Sequence, residues 1–451
     1  MVKVKKQEIS GWGNYPVVES NVMFIGSKED ALQAIGMEVI PRGLGRSYSD
    51  QAVSSGRAVA VCTKLDKMLS FDPGSGILEC EAGVSLDDII KTFVPQGWFP
   101  LICPGTKFVT IGGAIANDIH GKAHHVDGSF VNCVHSFSTL LANGTVVHAS
   151  RTENPDLFWA SFGGLGLLGI ILSARIQLLK IETTYFKQKS MAIKNLDHLL
   201  HSLEEYENGY NYSLAWIDPL ARGNDLGSGV LTVGNGASLN DLPPKFRSKP
   251  LVLHPDKKLT VPFYLPNVAL NDATSRMLNK VMAYLLKNPG EIVHYEKYFF
   301  PLDMINDWNK GYGKRGFIQY QFVIPKEKGC TDLKNILERI STSGCTPFLN
   351  VFKTLGKAQG ILSFPFEGYT LAIDFPVSQK LKGFIPVLDK LVLDAGGRIY
   401  LGKDAFLDKE TFYKMYPQVT EWLKIKKKYD PDDRFTSNIS RRVGLQSADC
   451  P

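Results

Sequence analysis

Pro104-Gly105-Thr106-Lys107-Phe108-Val109-Thr110-Ile111-Gly112-Gly113-Ala114-Ile115-Ala116-Asn117-Asp118-Ile119-His120-Gly121-Lys122-Ala123-His124-His125 is the stretch on which the reading of this chain turns. It places Gly105, the Gly112-Gly113 pair and Gly121 among three histidines and Lys122, so backbone amides, titratable rings and a cation lie close together. Glycine lets the backbone approach a ligand with no side chain between, and successive amides can form a concave nest for an anion. A glycine-rich turn between two strands has the same composition, and the stretch alone does not separate the two readings.

A second stretch lies upstream. Pro41-Arg42-Gly43-Leu44-Gly45-Arg46-Ser47-Tyr48-Ser49-Asp50 follows a strand candidate at 37–40 and again offers amides, a hydroxyl and two guanidinium groups. It is not a dinucleotide fingerprint, because Tyr48 stands where the third glycine belongs. Downstream, Gly164, Gly166 and Gly169 do match G-x-G-x-x-G, but residues 170–179 read as a strand, which leaves no helix N-terminus to face a pyrophosphate. The expectation there is a buried glycine turn where backbone passes close to a flat ligand.

At 451 residues the chain is too long for one core of usual size, so two domains are expected. Hydrophobic residues at 44% and charged residues at 21% describe an ordinary globular protein with a sizeable core. No apolar run is long enough to cross a bilayer, and Met1 to Ser10 has no secretory apolar segment. A cytoplasmic protein is therefore expected, with peripheral contact at the inner face of a membrane left open. Seven scattered cysteines without a C-x-x-C pair argue against a disulfide framework or a metal site. A net charge of +6 suits anionic substrates or an acidic lipid surface and is too diffuse for nucleic acid.

Strand candidates at 58–63 and 77–82 precede a helix candidate at 85–93 with Asp87 and Asp88 in its first turn. Asn143-Gly144 between strand candidates at 134–142 and 145–149 predicts a hairpin. Beyond Ile181 the glycine-rich loops become sparse. Helix candidates at 193–206, 271–286, 332–343 (capped by Thr331) and 383–394 are interspersed with strand candidates at 210–218, 291–300, 317–325, 347–353 and 369–375. That pattern predicts an antiparallel sheet with helices on one face. Residues 241–266 read as a long exposed connection. A helical stretch at 408–428 carries Lys424 to Lys428, which read as a solvated face.

Arg42-Gly43-Leu44-Gly45-Arg46-Ser47, Pro104-Gly105-Thr106, Thr110-Ile111-Gly112-Gly113, Phe158-Trp159 with Gly163-Gly164, and Asp430-Pro431 with Phe435 resemble the vanillyl-alcohol oxidase type of FAD-dependent oxidoreductases. The resemblance runs from about Gly11 to Leu445. It is closest to members acting on a lipid-linked sugar, through Asp118-Ile119-His120-Gly121-Lys122, Gln319-Tyr320-Gln321, residues 348–353, and Tyr400 with Lys403. It implies an α+β fold of two domains: an FAD-binding domain at 1–183, an inserted antiparallel-sheet substrate domain at 184–397, and a C-terminal return at 398–451.

By position, the resemblance assigns FAD contacts to Pro41 through Tyr48, Gly105, Thr110 to Gly113, Asn117, Asp118, Ile119, His120, Ile171 and Tyr400. It assigns the substrate side to Lys122, Trp216, Phe299, Gln319, Gln321 and Lys403. The activity implied is oxidation of the 2' hydroxyl of a polyprenyl-phosphoryl pentose to a ketone, the first half of an epimerisation completed by a separate NAD(P)H-dependent reductase. Many relatives carry a flavin-bonding histidine where Arg46 stands. An always-protonated guanidinium is a poor nucleophile, so FAD is expected to be non-covalent. Lys403 would steady a developing alkoxide or accept its proton, and His120 would act as base or bond to the flavin. Lys122 would draw in a phosphate. Gln319 and Gln321 alternate along one strand and share a face. The rival reading is an oxidase of free alditols or aldonolactones.

Overall fold

The computed structural model describes residues 2–253, 259–287, 290–357 and 359–450. Its α+β chain is organised on three main sheets. In the first, the parallel strands Val39–Arg42 and Ala58–Val61 lie beside Val18–Phe24 and Lys5–Ile9. The inner strand Ala58–Val61 is small and β-branched, as a strand covered on both faces requires. In the second sheet, Ile170–Lys180 is the spine, pairing antiparallel with Ile77–Glu81, Val134–Leu140 and Trp98–Pro100. The G-x-G-x-x-G turn thus feeds a strand, as expected.

Helix Leu86–Phe93 starts where its sequence says it should. The Ser85 hydroxyl accepts from the Asp88 amide at 3.1 Å, while the Asp88 carboxylate accepts from the Ser85 amide at 3.0 Å. Ser85→Ala removes one half of this reciprocal cap, and urea unfolding should read a loss of ~1 kcal/mol.

The third sheet has eight antiparallel strands in the order Ile292–His294, Tyr185–Ile193, Gly229–Gly236, Tyr212–Ile217, Asn350–Leu355, Gly368–Pro376, Phe317–Pro325 and Arg398–Ile399. Helices Leu196–Glu207, Gly329–Thr342 and Gln379–Asp394 pack against it and each other. Gly368–Pro376 is buried at every residue, being covered on both faces. The sheet continues one strand past residue 397, because Arg398–Ile399 pairs with Phe317–Pro325.

Several local expectations differ from the structure. The 291–300 strand stops at His294, whose ring accepts from the Glu296 amide and opens the short helix Tyr295–Phe299. That single turn delivers Tyr295, Tyr298 and Phe299 into an aromatic cluster with Phe99 and Phe186. Thr331 lies inside helix Gly329–Thr342 and caps nothing. The tail helix is two helices, Lys409–Met415 and Val419–Tyr429, divided near Pro417, which cannot continue the first. Residues 254–258 of the expected 241–266 connection lie outside the described residues.

The tail closes on the N-terminal sheet. Val39 donates its amide to the Arg434 carbonyl at 2.7 Å, and Thr436 donates back to Val39 at 3.0 Å. Lys426 corrects the reading of the lysine run as wholly solvated. It is fully buried, its ammonium paired with Asp430 and donating to the carbonyls of Leu167 and Phe435 at 2.8 and 2.9 Å.

Candidate active site

A cavity of about 310 Å³ lies where the glycine-rich loops meet the open face of the eight-stranded sheet. One wall is Pro41 through Tyr48, and its construction explains the glycines. Gly45 has φ +68°, a left-handed conformation, and a Cβ there would lie 2.2 Å from an Arg42 nitrogen. Gly43 touches the Thr110 hydroxyl so closely that a Cβ would meet it at 2.2 Å, which locks the two loops together. The Arg42 guanidinium is spent as a brace, donating to the Ala52 and Ser10 carbonyls at 3.1 and 2.7 Å. Arg46 is held differently, 3.8 Å above the Trp12 ring.

The amides of Gly43, Leu44, Gly45, Arg46 and Ser47 reach no protein acceptor among the described residues. Five unspent donors beside a cavity form an anion nest.

The central glycine pair behaves otherwise, and this corrects the sequence reading. Ile111–Asn117 is a short helix capped by Thr110. Its first amides are already used: Ile111 donates to Val84, Gly112 to Ala82 and Gly113 to the Thr110 hydroxyl. Gly112 is needed for close approach, since a Cβ would sit 3.1 Å from that of Ala82. The pair still lines the cavity, through its backbone surface.

Of the residues singled out from the sequence, Pro41 to Tyr48, Gly105, Thr110, Gly112, Gly113, Asn117, Ile119, His120, Lys122, Ile171, Gln319, Gln321, Tyr400 and Lys403 line this one cavity. Four do not. The Ile111 side chain is fully buried in the core. The Asp118 carboxylate is consumed by the hydroxyls of Ser129 and Ser363 and the Val131 amide, so it fixes the turn that carries His120. Phe299 belongs to the aromatic cluster behind Lys122. Trp216, two residues beyond Leu214 on its strand, is buried past the cavity edge.

Three lysines face the cavity, and burial lowers the pKa of each: Lys403 and Lys122 to about 7, Lys353 to about 8. Charge repulsion from Lys353 adds to the first two. The Lys403 ammonium donates to Gln319 Oε1, whose amide nitrogen donates to Asp374 at 2.6 Å, and Tyr312 donates its hydroxyl to the same carboxylate at 2.9 Å. Asp374 thereby fixes which end of the Gln319 amide faces Lys403. Lys122 is steered by the Tyr298 carbonyl and lies 4.5 Å from that ring's centre.

His120 has a narrower role than the sequence left open. Gln321 donates to its Nε2 at 3.2 Å, which makes that nitrogen an acceptor and the ring neutral. Burial, with repulsion from Lys353, His124 and Lys403, holds its pKa well below the usual imidazole value. A ring so disposed is a weak base. Its Nδ1 is buried without a hydrogen-bond partner among the described residues, as is Asn117 Oδ1.

Sequence reasoning gave no role to Lys353, Asp303 or Trp308, all of which line the cavity. Lys353 carries no local signal, since a lysine alternating along a strand looks solvent-facing until the neighbouring strands bury it.

Residues 30–150 match the model of an FAD binding domain, and residues 370–443 that of D-arabinono-1,4-lactone oxidase. Decaprenylphosphoryl-beta-D-ribose oxidase of Mycolicibacterium smegmatis is 39% identical over 97% of this chain and 98% of its own. The chain belongs to the decaprenylphosphoryl-beta-D-ribose oxidase family. L-gulonolactone oxidase of Mus musculus is 29% identical over only 36% of this chain and 38% of its own, and xylooligosaccharide oxidase of Thermothelomyces thermophilus 32% over 32% and 29%.

Like others of the decaprenylphosphoryl-beta-D-ribose oxidase family, the chain is an FAD-dependent oxidoreductase acting on CH–OH groups. The cavity fits that cofactor. Five free amides match a pyrophosphate, the glycine loops admit close backbone approach, and Asn117 Oδ1 and His120 Nδ1 await polar partners.

Proposed function

We propose that the protein oxidises the 2' hydroxyl of a polyprenyl-phosphoryl pentose to a ketone, using non-covalently held FAD, as the first half of an epimerisation. The observation that carries this reading is the set of three lysines. An uncharged alditol or lactone gives no reason to bury cations beyond those that serve the cofactor, whereas a phosphate substrate offsets their desolvation. Bound FAD supplies the two-electron acceptor for the carbon–hydrogen bond that breaks.

In this reading Lys403 takes the hydroxyl proton and Gln319 aims it, with the Gln319 amide held by Asp374. Lys122 and Lys353 hold the phosphate. Gln321 and His120 order the wall between cofactor and sugar. The product ketone is chemically suited to a separate NAD(P)H-dependent reductase, and a lipid-linked substrate calls for peripheral membrane contact at the cytoplasmic face.

Two measurements follow. Free enzyme with Lys403 protonated cannot accept a proton, so kcat/KM should rise with pH through about 7 and fall again above about 8, where Lys122 and Lys353 lose the charges that hold the phosphate; a profile without the rising limb removes Lys403 as base. Arg46, pinned on Trp12, cannot bond the flavin, so acid precipitation should leave a yellow supernatant and a colourless pellet. A yellow pellet would favour the alditol or lactone oxidase reading, to which the 370–443 match also points.

A further inference from the structure

We propose that residues 259–285 form the surface by which the protein docks on an anionic lipid bilayer. Large apolar side chains are exposed here in unusual number. Val268 is 81% exposed, Tyr284 75% and Met277 68%, and Leu259, Phe263, Val281 and Leu285 accompany them. Apolar exposure concentrated in one segment marks an interaction surface. Met277, Val281, Tyr284 and Leu285 recur at the spacing of one helix face on Asp272–Lys287. The opposite side of that helix is already occupied, because Ser275 and Asn279 are buried and Leu278 packs inward.

Two observations choose a bilayer over another protein. The first is charge. Arg276, Lys280 and Lys287 are exposed on the same helix, against Asp272 as the one acid of the described residues 259–287. Cations flanking an apolar face with an exposed tyrosine are the composition of an interfacial helix, and cations beside such a face are drawn to an acidic surface.

The second is position. Leu270 and Leu278 pack in the cluster that contains Trp308, Trp12 and Tyr48, and those three rings line the cavity. Val261 and Leu265 hydrogen-bond to Asn306 and Lys310 on either side of Trp308. The apolar face is therefore about one helix diameter, ~10 Å, from the cavity wall. A lipid-linked sugar could enter while its chain stays in the membrane. The inference rests on the proposed lipid-linked substrate for its purpose, but its test does not depend on turnover.

The test is flotation of the FAD-loaded protein with vesicles of phosphatidylglycerol mixed with phosphatidylcholine. The native protein should float, and Met277→Glu with Tyr284→Glu should lose about tenfold in vesicle partition. Arg276→Glu with Lys280→Glu should lose less, and high salt should abolish the difference it makes. These residues lie outside the cavity, so anaerobic flavin reduction by a short-chain, water-soluble prenyl-phosphoryl ribose should be unchanged. Should the double glutamate variant fold poorly, Tyr284→Trp keeps the question open to measurement. Its added emission should shift blue on vesicles and be quenched by brominated lipid.

A native protein that stays with the soluble fraction overturns the proposal. So does one that self-associates in solution through this face, with the glutamate variant monomeric. Vesicle binding with no flavin reduction by the short-chain substrate would instead refute the substrate reading and leave the docking surface standing.

Discussion

Lys403→Met is expected to slow flavin reduction by substrate ~10²–10⁴-fold while leaving FAD bound and making the ligand-free protein harder to unfold. The two effects share one cause. Burial beside Lys353 lowers the Lys403 pKa to about 7, so at neutral pH a large fraction of the amine is free to accept a proton. The unfolded chain binds that proton at the ordinary lysine pKa. Between about 7 and 10.5 the unfolded state therefore holds more protons, and stability rises with pH across that window. An uncharged side chain of similar length removes the desolvation cost and should add about 1–2 kcal/mol at pH 7. Stopped-flow reduction and urea unfolding read the two effects. Reduction within about threefold of the native rate, or a fall in stability, would remove Lys403 from the role assigned to it.

Lys426→Ala should be the most damaging single change outside the cavity. The ammonium is fully buried and satisfies Asp430, Leu167 and Phe435 together, so its loss leaves a buried carboxylate with only the Arg434 and Phe435 amides in place of its counter-charge, and strands two carbonyls. Breaking a buried pair from one side costs ~3–5 kcal/mol. Leu167 belongs to the glycine turn at 164–169, whose Leu165, Gly166 and Gly169 line the cavity, so FAD retention should fall with stability. Removing both charges with Lys426→Met and Asp430→Asn should recover part of the loss, because no uncompensated charge remains and the new side-chain amide oxygen can still accept from the Arg434 or Phe435 amide. Urea midpoints and bound flavin per chain report the result. A single variant that costs under ~1 kcal/mol, or a double variant no better than the single, would contradict the clamp.

How legible the sequence was depended on whether a signal was local. Phe317–Pro325 is the strand expected, end to end, because it is rich in β-branched and aromatic residues between Gly316 and Pro325. Ser85 and Asp88 announce their helix start for the same reason. The Gly43 to Ser47 nest was readable because a turn's amides are unspent by default. Gly112-Gly113 misled because two glycines lower helix propensity, and only the closeness of Ala82 to Gly112 and of the Thr110 hydroxyl to Gly113 explains why a helix carries them. Strand Gly229–Gly236 was invisible behind its glycines, which admit the Tyr298 hydroxyl and the Trp216 carbonyl. Lys353, Asp374 and Lys426 were hidden for a common reason. Their chemistry comes from burial by segments distant in sequence, which no window around them contains.

In the proposed function this cavity pairs FAD with a phosphate-bearing sugar and lets a buried lysine take its proton. Anaerobic mixing of the holoenzyme with polyprenyl-phosphoryl ribose, and in parallel with free ribitol, tests it most directly. Rapid bleaching of the flavin by the first and almost none by the second is the predicted result. Equal bleaching by ribitol, or none by the phosphorylated sugar, would contradict it.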